Sequence, residues 1–286
     1  MTWLKILHTS DLAEARALAR EGYTPVECSI GGESVVDDLA MDHHGAYSYL
    51  DGVAVRAYTS GYHRGSRVER DARFVVTGAA DADATFAIAA LAGLLPDGLS
   101  DLAALVNAVD VDPFSIKLEE QGDNGARLLL FNQMASGVED ATAFYSGVDR
   151  WRMLTGPRAP EALLKATLAQ ERSRVEGASR ASIEAHGGIP VAFVRSALWG
   201  FDVWYRQHPC VVAFHDGKVT VGCRDLATAV RLFGPGGLKG VFSSLAPAGW
   251  GGRETVGGSP RGLALTESQA REAFATVCLS VRKGAL

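Results

Sequence analysis

Short apolar runs alternate with charged, helix-favouring stretches through the first half of the chain. Residues 4–7 read as a strand. Residues 11–21, rich in Ala, Leu, Arg and Glu and followed by Gly22, read as a helix with its stop. Residues 23–28 resume strand character, and Gly31-Gly32 turns the chain. Residues 53–58, 74–76 and 128–131 read as further strands, and residues 84–95 as a buried helix ending at Pro96. Strands alternating with helices predict an α/β fold: a mainly parallel sheet with helices on both faces.

The pattern changes around Thr155-Gly156-Pro157 and Pro160. Residues 161–185 are helical in character and carry many charges, and Gly187-Gly188 ends them. The expected organisation is therefore a first domain over residues 1–156, a connecting helix over 157–186, and a smaller C-terminal α/β domain over 187–286. Strands are expected there at 191–194, 211–214 and 219–221. Asp216-Gly217 between the last two is a hairpin signal, because both positions of a type I′ turn need positive φ. Glycines crowd between Gly234 and Gly262.

Composition adds a division of charge. The 286 residues are 47% hydrophobic and 21% charged, with a net charge of −5. From Gly187 onward 11 Lys+Arg face 6 Asp+Glu, a balance of +5, which leaves −10 before it. An acidic half suits cations and a basic half suits phosphate or another anion. The overall acidity argues against coating long nucleic acid. With no 18-residue apolar run, no membrane span is expected, and the first residues do not read as a signal peptide. Cys28, Cys210, Cys223 and Cys278 are far apart without a CxxC pair, so reduced thiols and a cytoplasmic location are expected.

Three segments could carry chemistry. Asp42-His43-His44 offers a carboxylate and two imidazoles, a donor set that ligates transition metals. Asp81 and Asp83 directly follow a strand and open a helix; Asp110 and Asp112 lie in a second acidic piece that begins at Asn107. Carboxylates at strand ends lie where ligands gather in open α/β sheets. The plain alternatives are helix capping by Asp81, Asp83 or Asp11, and a turn at Asp112-Pro113. In the C-terminal part, Gly257 and Gly258 could bring backbone N–H groups to an anion, with Arg253 and Arg261 as bidentate partners. Trp199, Trp204, Tyr205 and Trp250 are aromatic candidates for stacking on a base; of these, only Trp250 lies inside the glycine-rich segment.

Asp42-His43-His44 resembles the signature of the DHH phosphoesterase superfamily, which includes RecJ-type exonucleases, nanoRNases, cyclic dinucleotide phosphodiesterases and exopolyphosphatases. Residues 219–224, ending in Arg224, and residues 249–262 resemble the strand and glycine-rich substrate loop of the domain associated with it. The family's usual opening His and paired carboxylates are reduced here to His8 and Asp11. Either Asp81 then belongs to a later motif, or the motifs are reordered; and Ser259-Pro260-Arg261 stands where the family has a loop histidine. The resemblance implies a metal-dependent phosphohydrolase in which metal-activated water attacks a small phosphorylated molecule or short oligonucleotide. The divalent metal, manganese with magnesium as the alternative, would draw on Asp42, His43, His44, Asp81, Asp83, Asp110, His8 and Asp11. His43 and His44 would also serve catalysis. Arg224, Gly257, Gly258, Arg253 and Arg261 would hold substrate. Long nucleic acid and membrane are not expected partners, and a homodimer is open. Two other readings stay in view: a nucleotide- or anion-binding protein on the same fold without catalysis, and a metallohydrolase of a non-phosphate small molecule.

Overall fold

The computed structural model describes residues 3–30, 33–35, 41–42, 51–59, 71–135, 138–185 and 188–282. The chain is mixed α/β and divides into two compact units, 1–169 and 170–286.

The first unit is organised on three parallel strands, β1 (Leu4–His8), β5 (Ala72–Val76) and β2 (Thr24–Val26), with β5 in the centre. Alternate residues enter different apolar clusters, as the period-2 geometry of a strand requires. Ile6, Phe74 and Val76 join the main core, whereas Val75 packs with Leu7, Ala15 and Leu18, the last two from helix α1 (Leu12–Arg20). A short hairpin, β3 (Ser29–Ile30) and β4 (Glu33–Ser34), follows β2.

Helices α2 (Val53–Thr59), α3 (Ala82–Leu91), α4 (Ser100–Val111), α5 (Gly122–Gln133) and α6 (Ala141–Thr155) complete this core. Two of them correct the sequence expectation. Residues 53–58 form α2, not a strand. Its buried residues are Val53, Ala54, Ala57 and Tyr58, the i, i+1, i+4, i+5 face of a helix, and its first amides are capped from other helices. Residues 128–131 lie inside α5, where Leu128 and Phe131 share one buried face. An apolar run of four does not distinguish strand from helix by itself.

Helix α7 (Glu161–Ser179) is shorter than expected, because residues 182–185 leave it to form strand β6 (Ser182–Ala185). Pairing of β6 with β7 (Val191–Arg195) overrides the local helical preference. The division between units falls within α7.

The second unit carries a six-stranded mixed sheet in the order β10 (Gly251–Gly252), β11 (Val256–Gly258), β9 (Lys218–Cys223), β8 (Cys210–His215), β7, β6. Only β7 and β8 pair in parallel. Asp216 and Gly217 join β8 to β9 with φ of 45° and 72°, the two positive values that the dipeptide predicts. One face packs on α9 (Leu226–Phe233), α10 (Lys239–Phe242) and α11 (Glu267–Leu279) through Val191, Phe193, Val212, Val221 and Phe274. Residues of the short helix α8 (Phe201–Trp204) and Tyr205 approach Gly222, whose alternation in β9 puts it on the opposite face. Among the described residues no helix is long and apolar enough to cross a membrane.

Trp151 is the keystone of the first core. It is fully buried, stacks on Phe131 at 4.5 Å, meets Phe86 edge-on at 5.2 Å, and donates from Nε1 to Ala82 O and Thr85 Oγ1 at 3.2 Å. Trp151→Ala should lower unfolding free energy by about 3–5 kcal/mol, because it removes the ring and leaves a cavity. Urea denaturation monitored by circular dichroism checks this; a loss under about 1 kcal/mol would contradict the assignment.

Candidate functional site

Parallel pairing brings the carboxyl ends of β1, β5 and β2 to one edge, where His8, Val76 and Val26 end their strands. The chain segments that leave them are cross-linked. Thr9 N donates to Val76 O at 3.1 Å, and His8 Nε2 lies 3.0 Å from Gly78 O. Thr77 Oγ1 donates to Glu27 O at 3.0 Å and Ser29 O at 3.1 Å. Glu27 itself is buried, 7% exposed, and holds φ of 49°, an uncommon backbone conformation for this residue type. Its N–H donates to Met41 O at 2.8 Å, which brings Asp42 to the same edge.

Asp42 is completely buried. Ser34 Oγ donates to its Oδ2, and Arg56 donates to its carbonyl oxygen. Burial pushes the Cys28 thiol up to about 12, and the Asp42 and Glu27 carboxylates add to the shift, so both act on the same small region. Cys28 is thus a thiol, not a thiolate, at neutral pH. Sequence reading passed over Glu27, because nothing local distinguishes it from an ordinary surface glutamate.

Three of the other predicted carboxylates, Asp11, Asp81 and Asp83, have backbone partners. Asp11 caps α1, accepting from Ala13 N at 2.7 Å and Glu14 N at 3.3 Å. Asp81 caps α3 through Ala84 N at 2.9 Å. Asp83 is buried inside α3 and accepts from Val53 N at 2.8 Å and Ala54 N at 3.0 Å, with Asn107 Oδ1 accepting from Gly52 N at 2.5 Å. A side chain at position 52 would put its Cβ 2.8 Å from both Asp83 Oδ2 and Asn107 Oδ1 and would displace these two caps. Asp83 and Asn107 therefore tie α3 and α4 to the positive end of α2. Asp110 is exposed near the end of α4. Among the described residues no three His, Cys, Asp or Glu side chains are arranged to hold a metal ion; His43 and His44 lie outside the described residues.

The second unit has a cavity of about 500 Å³. Its floor is Val219 and Thr220 of β9 and Gly258 of β11. Its walls are Trp199, the turn at Asp216, Gly217 and Lys218, and residues 259–264. Gly262, with φ of 78°, turns that last wall, and Ser259 Oγ accepts from Val219 N at 3.2 Å. Arg261 and Lys218 line the cavity, and among the described residues neither has an ion-pair partner.

Gly257 and Gly258 lack the positive φ expected of them, while Gly258 lines the cavity. Both are ordinary strand residues of β11. Gly257 is needed for packing, since a Cβ there would lie 2.1 Å from the Phe242 ring. Trp250 is also displaced from its expected role: it is 8% exposed within the apolar core, while Trp199, 41% exposed, faces the cavity. Arg253 sits in the β10–β11 turn, its N–H donating to Val256 O at 2.7 Å, and Arg224 N donates to Pro209 O at 2.9 Å; neither arginine lines the cavity. Lys218 carried no sequence signal beyond its place after the Asp216-Gly217 turn.

No protein-family model and no curated protein matches the chain. The roles of Asp83 as cap and as ligand separate experimentally. Asp83→Ala should cost about 1–3 kcal/mol of stability, by leaving buried amides of α2 unsatisfied, and should leave metal affinity within about twofold. Thermal melts with and without manganese read both. Unchanged stability together with lost metal binding would make Asp83 a ligand instead.

Proposed function

We propose that the protein is a metal-dependent phosphoesterase of the DHH type, acting on a small phosphorylated molecule. The observation that carries this reading is Asp42: a fully buried carboxylate at the carboxyl edge of parallel strands, followed in the chain by His43 and His44. A buried carboxylate is costly unless hydrogen-bonded or paired with a cation, and Ser34 supplies one donor. Asp42, His43 and His44 are the residues that would hold the ion, with His8 at the same edge. Asp11, Asp81 and Asp83 are disfavoured as principal ligands by their amide partners. A divalent ion, manganese first for a mixed His/Asp set, would supply Lewis-acid polarisation of the phosphoryl oxygen and acidification of water. The chain's own residues would order that edge: Thr77 and Thr9 fix the strand-end loops.

The amide commitments of the acidic residues favour a second reading, an anion-binding protein without catalysis. Turnover separates the two. Protein stripped with chelator should lose hydrolysis of aryl phosphate mono- and diesters, and manganese should restore it. Equal turnover before and after stripping would sink the metal-dependent reading, and no turnover with any divalent metal would favour the binding protein.

His43→Ala should lower both kcat and bound manganese by on the order of a hundredfold while the fold persists. Metal analysis, circular dichroism and rates are read together. A variant that melts earlier but keeps its metal and its rate would make His43 a packing residue.

A further inference from the structure

We infer that Cys210 and Cys223 are a redox pair, whose two thiols a peroxide converts to a disulfide that clasps β8 to β9 and stiffens the second unit. The pair belongs to the second unit alone, and the inference does not rest on the phosphoesterase reading.

Strand register makes the pair. Cys210 opens β8, Cys223 closes β9, and the two are Cα partners. Neither backbone N–H is spent on the other strand: Cys210 N donates to Pro190 O at 3.2 Å and Cys223 N to Thr255 O at 2.8 Å. Just beyond them, Arg224 N donates to Pro209 O at 2.9 Å. This is the non-hydrogen-bonded kind of antiparallel pair, in which Cα atoms lie about 4.5 Å apart and side chains are closest. A disulfide spans Cα separations of roughly 4.4–6.8 Å. Both side chains enter the apolar cluster that α9, α10 and α11 cover. The Asp216-Gly217 turn fastens one end of the hairpin, and a bond between positions 210 and 223 would close the other.

Both thiols are free and buried, Cys210 at 0% and Cys223 at 4% exposure. A hydrogen bond with Cys223, and burial after it, hold the Cys210 thiol well above its ordinary range. Thiolate is therefore scarce at neutral pH, and oxidation should speed up as pH rises. Cys223, the less buried of the two, attacks the peroxide: its sulfur gains one oxygen as sulfenic acid, the O–O bond breaks, and one water leaves. The Cys210 sulfur then attacks that sulfur, the S–O bond breaks, and the hydroxyl departs as a second water with the Cys210 proton. Two thiols lose two electrons, and one peroxide becomes two waters. Cys278 packs against the same cluster from α11 but has no strand partner, and burial pushes its thiol up to about 11.

Peroxide treatment of the full chain at mildly alkaline pH, followed by peptide mapping, tests the pair; trypsin cleavage after Lys218 separates the two cysteines. The expected product joins the peptide bearing Cys210 to the one bearing Cys223, and dithiothreitol restores both thiols. The oxidised chain should melt about 5–10 °C above the reduced one, because the link restricts the unfolded hairpin. Cys278→Ser should keep the product and the shift, and Cys223→Ala should lose both. The map is read on the native chain, so it decides the matter even where Cys223→Ala folds poorly. Cys210 and Cys223 still free after treatment, either one linked to Cys278, or Cys223 carried on to sulfinic acid would overturn the proposal. So would a disulfide that leaves the melting temperature unchanged.

Discussion

Parallel pairing of β5 with β1 on one side and β2 on the other is the constraint on which the first unit depends. In a parallel sheet every strand ends at the same edge, so the loops after His8, Val26 and Val76 must meet there. Their backbone polar groups need partners, and they find them in one another: Thr9 with Val76, Thr77 with Glu27 and Ser29, Glu27 with Met41. Asp42 reaches the edge through that network, not through the sheet itself. The buried carboxylate is therefore a consequence of topology.

A second constraint acts at the start of α2. Helix N-termini expose amides without intrahelical partners, and this one is buried. Asp83 and Asn107 satisfy three successive amides, Gly52, Val53 and Ala54, and a side chain at position 52 would displace them. Asp83, which reads in sequence as a metal ligand, thereby acquires a structural role. The second unit follows the same logic. The sheet gives the cavity its floor, while Trp199 and the turn at Gly262 come from loops fixed by hydrogen bonds.

Much of this was legible locally. Strands β1 and β5, helix α1 with its Asp11 cap, helix α3 with its Asp81 cap, and the Asp216-Gly217 hairpin all follow from apolar period, capping residues and turn chemistry within a few positions. The errors arise where distant contacts decide. Residues 53–58 look like a strand because Val53, Val55 and Ala57 alternate with other residues, and only the caps from α3 and α4 reveal the helix. Trp250 drew attention over Trp199 because it stands among glycines; yet the core takes Trp250, and the cavity is assembled from residues near 199, 218 and 260 that no sequence window contains together. Glu27 was invisible for the same reason, since its burial and positive φ come from contacts with Met41 and Thr77.

The central claim is that the strand-end edge around Asp42 holds a divalent cation. Manganese titration followed by electron paramagnetic resonance, comparing the native chain with Asp42→Asn, tests it most directly. Asparagine keeps the volume and an acceptor for Ser34 while removing the charge, so circular dichroism should be unchanged. Saturable binding in the native chain and at least about a tenfold weaker affinity in the variant is the predicted result. Equal affinity in the two well-folded proteins would contradict the claim.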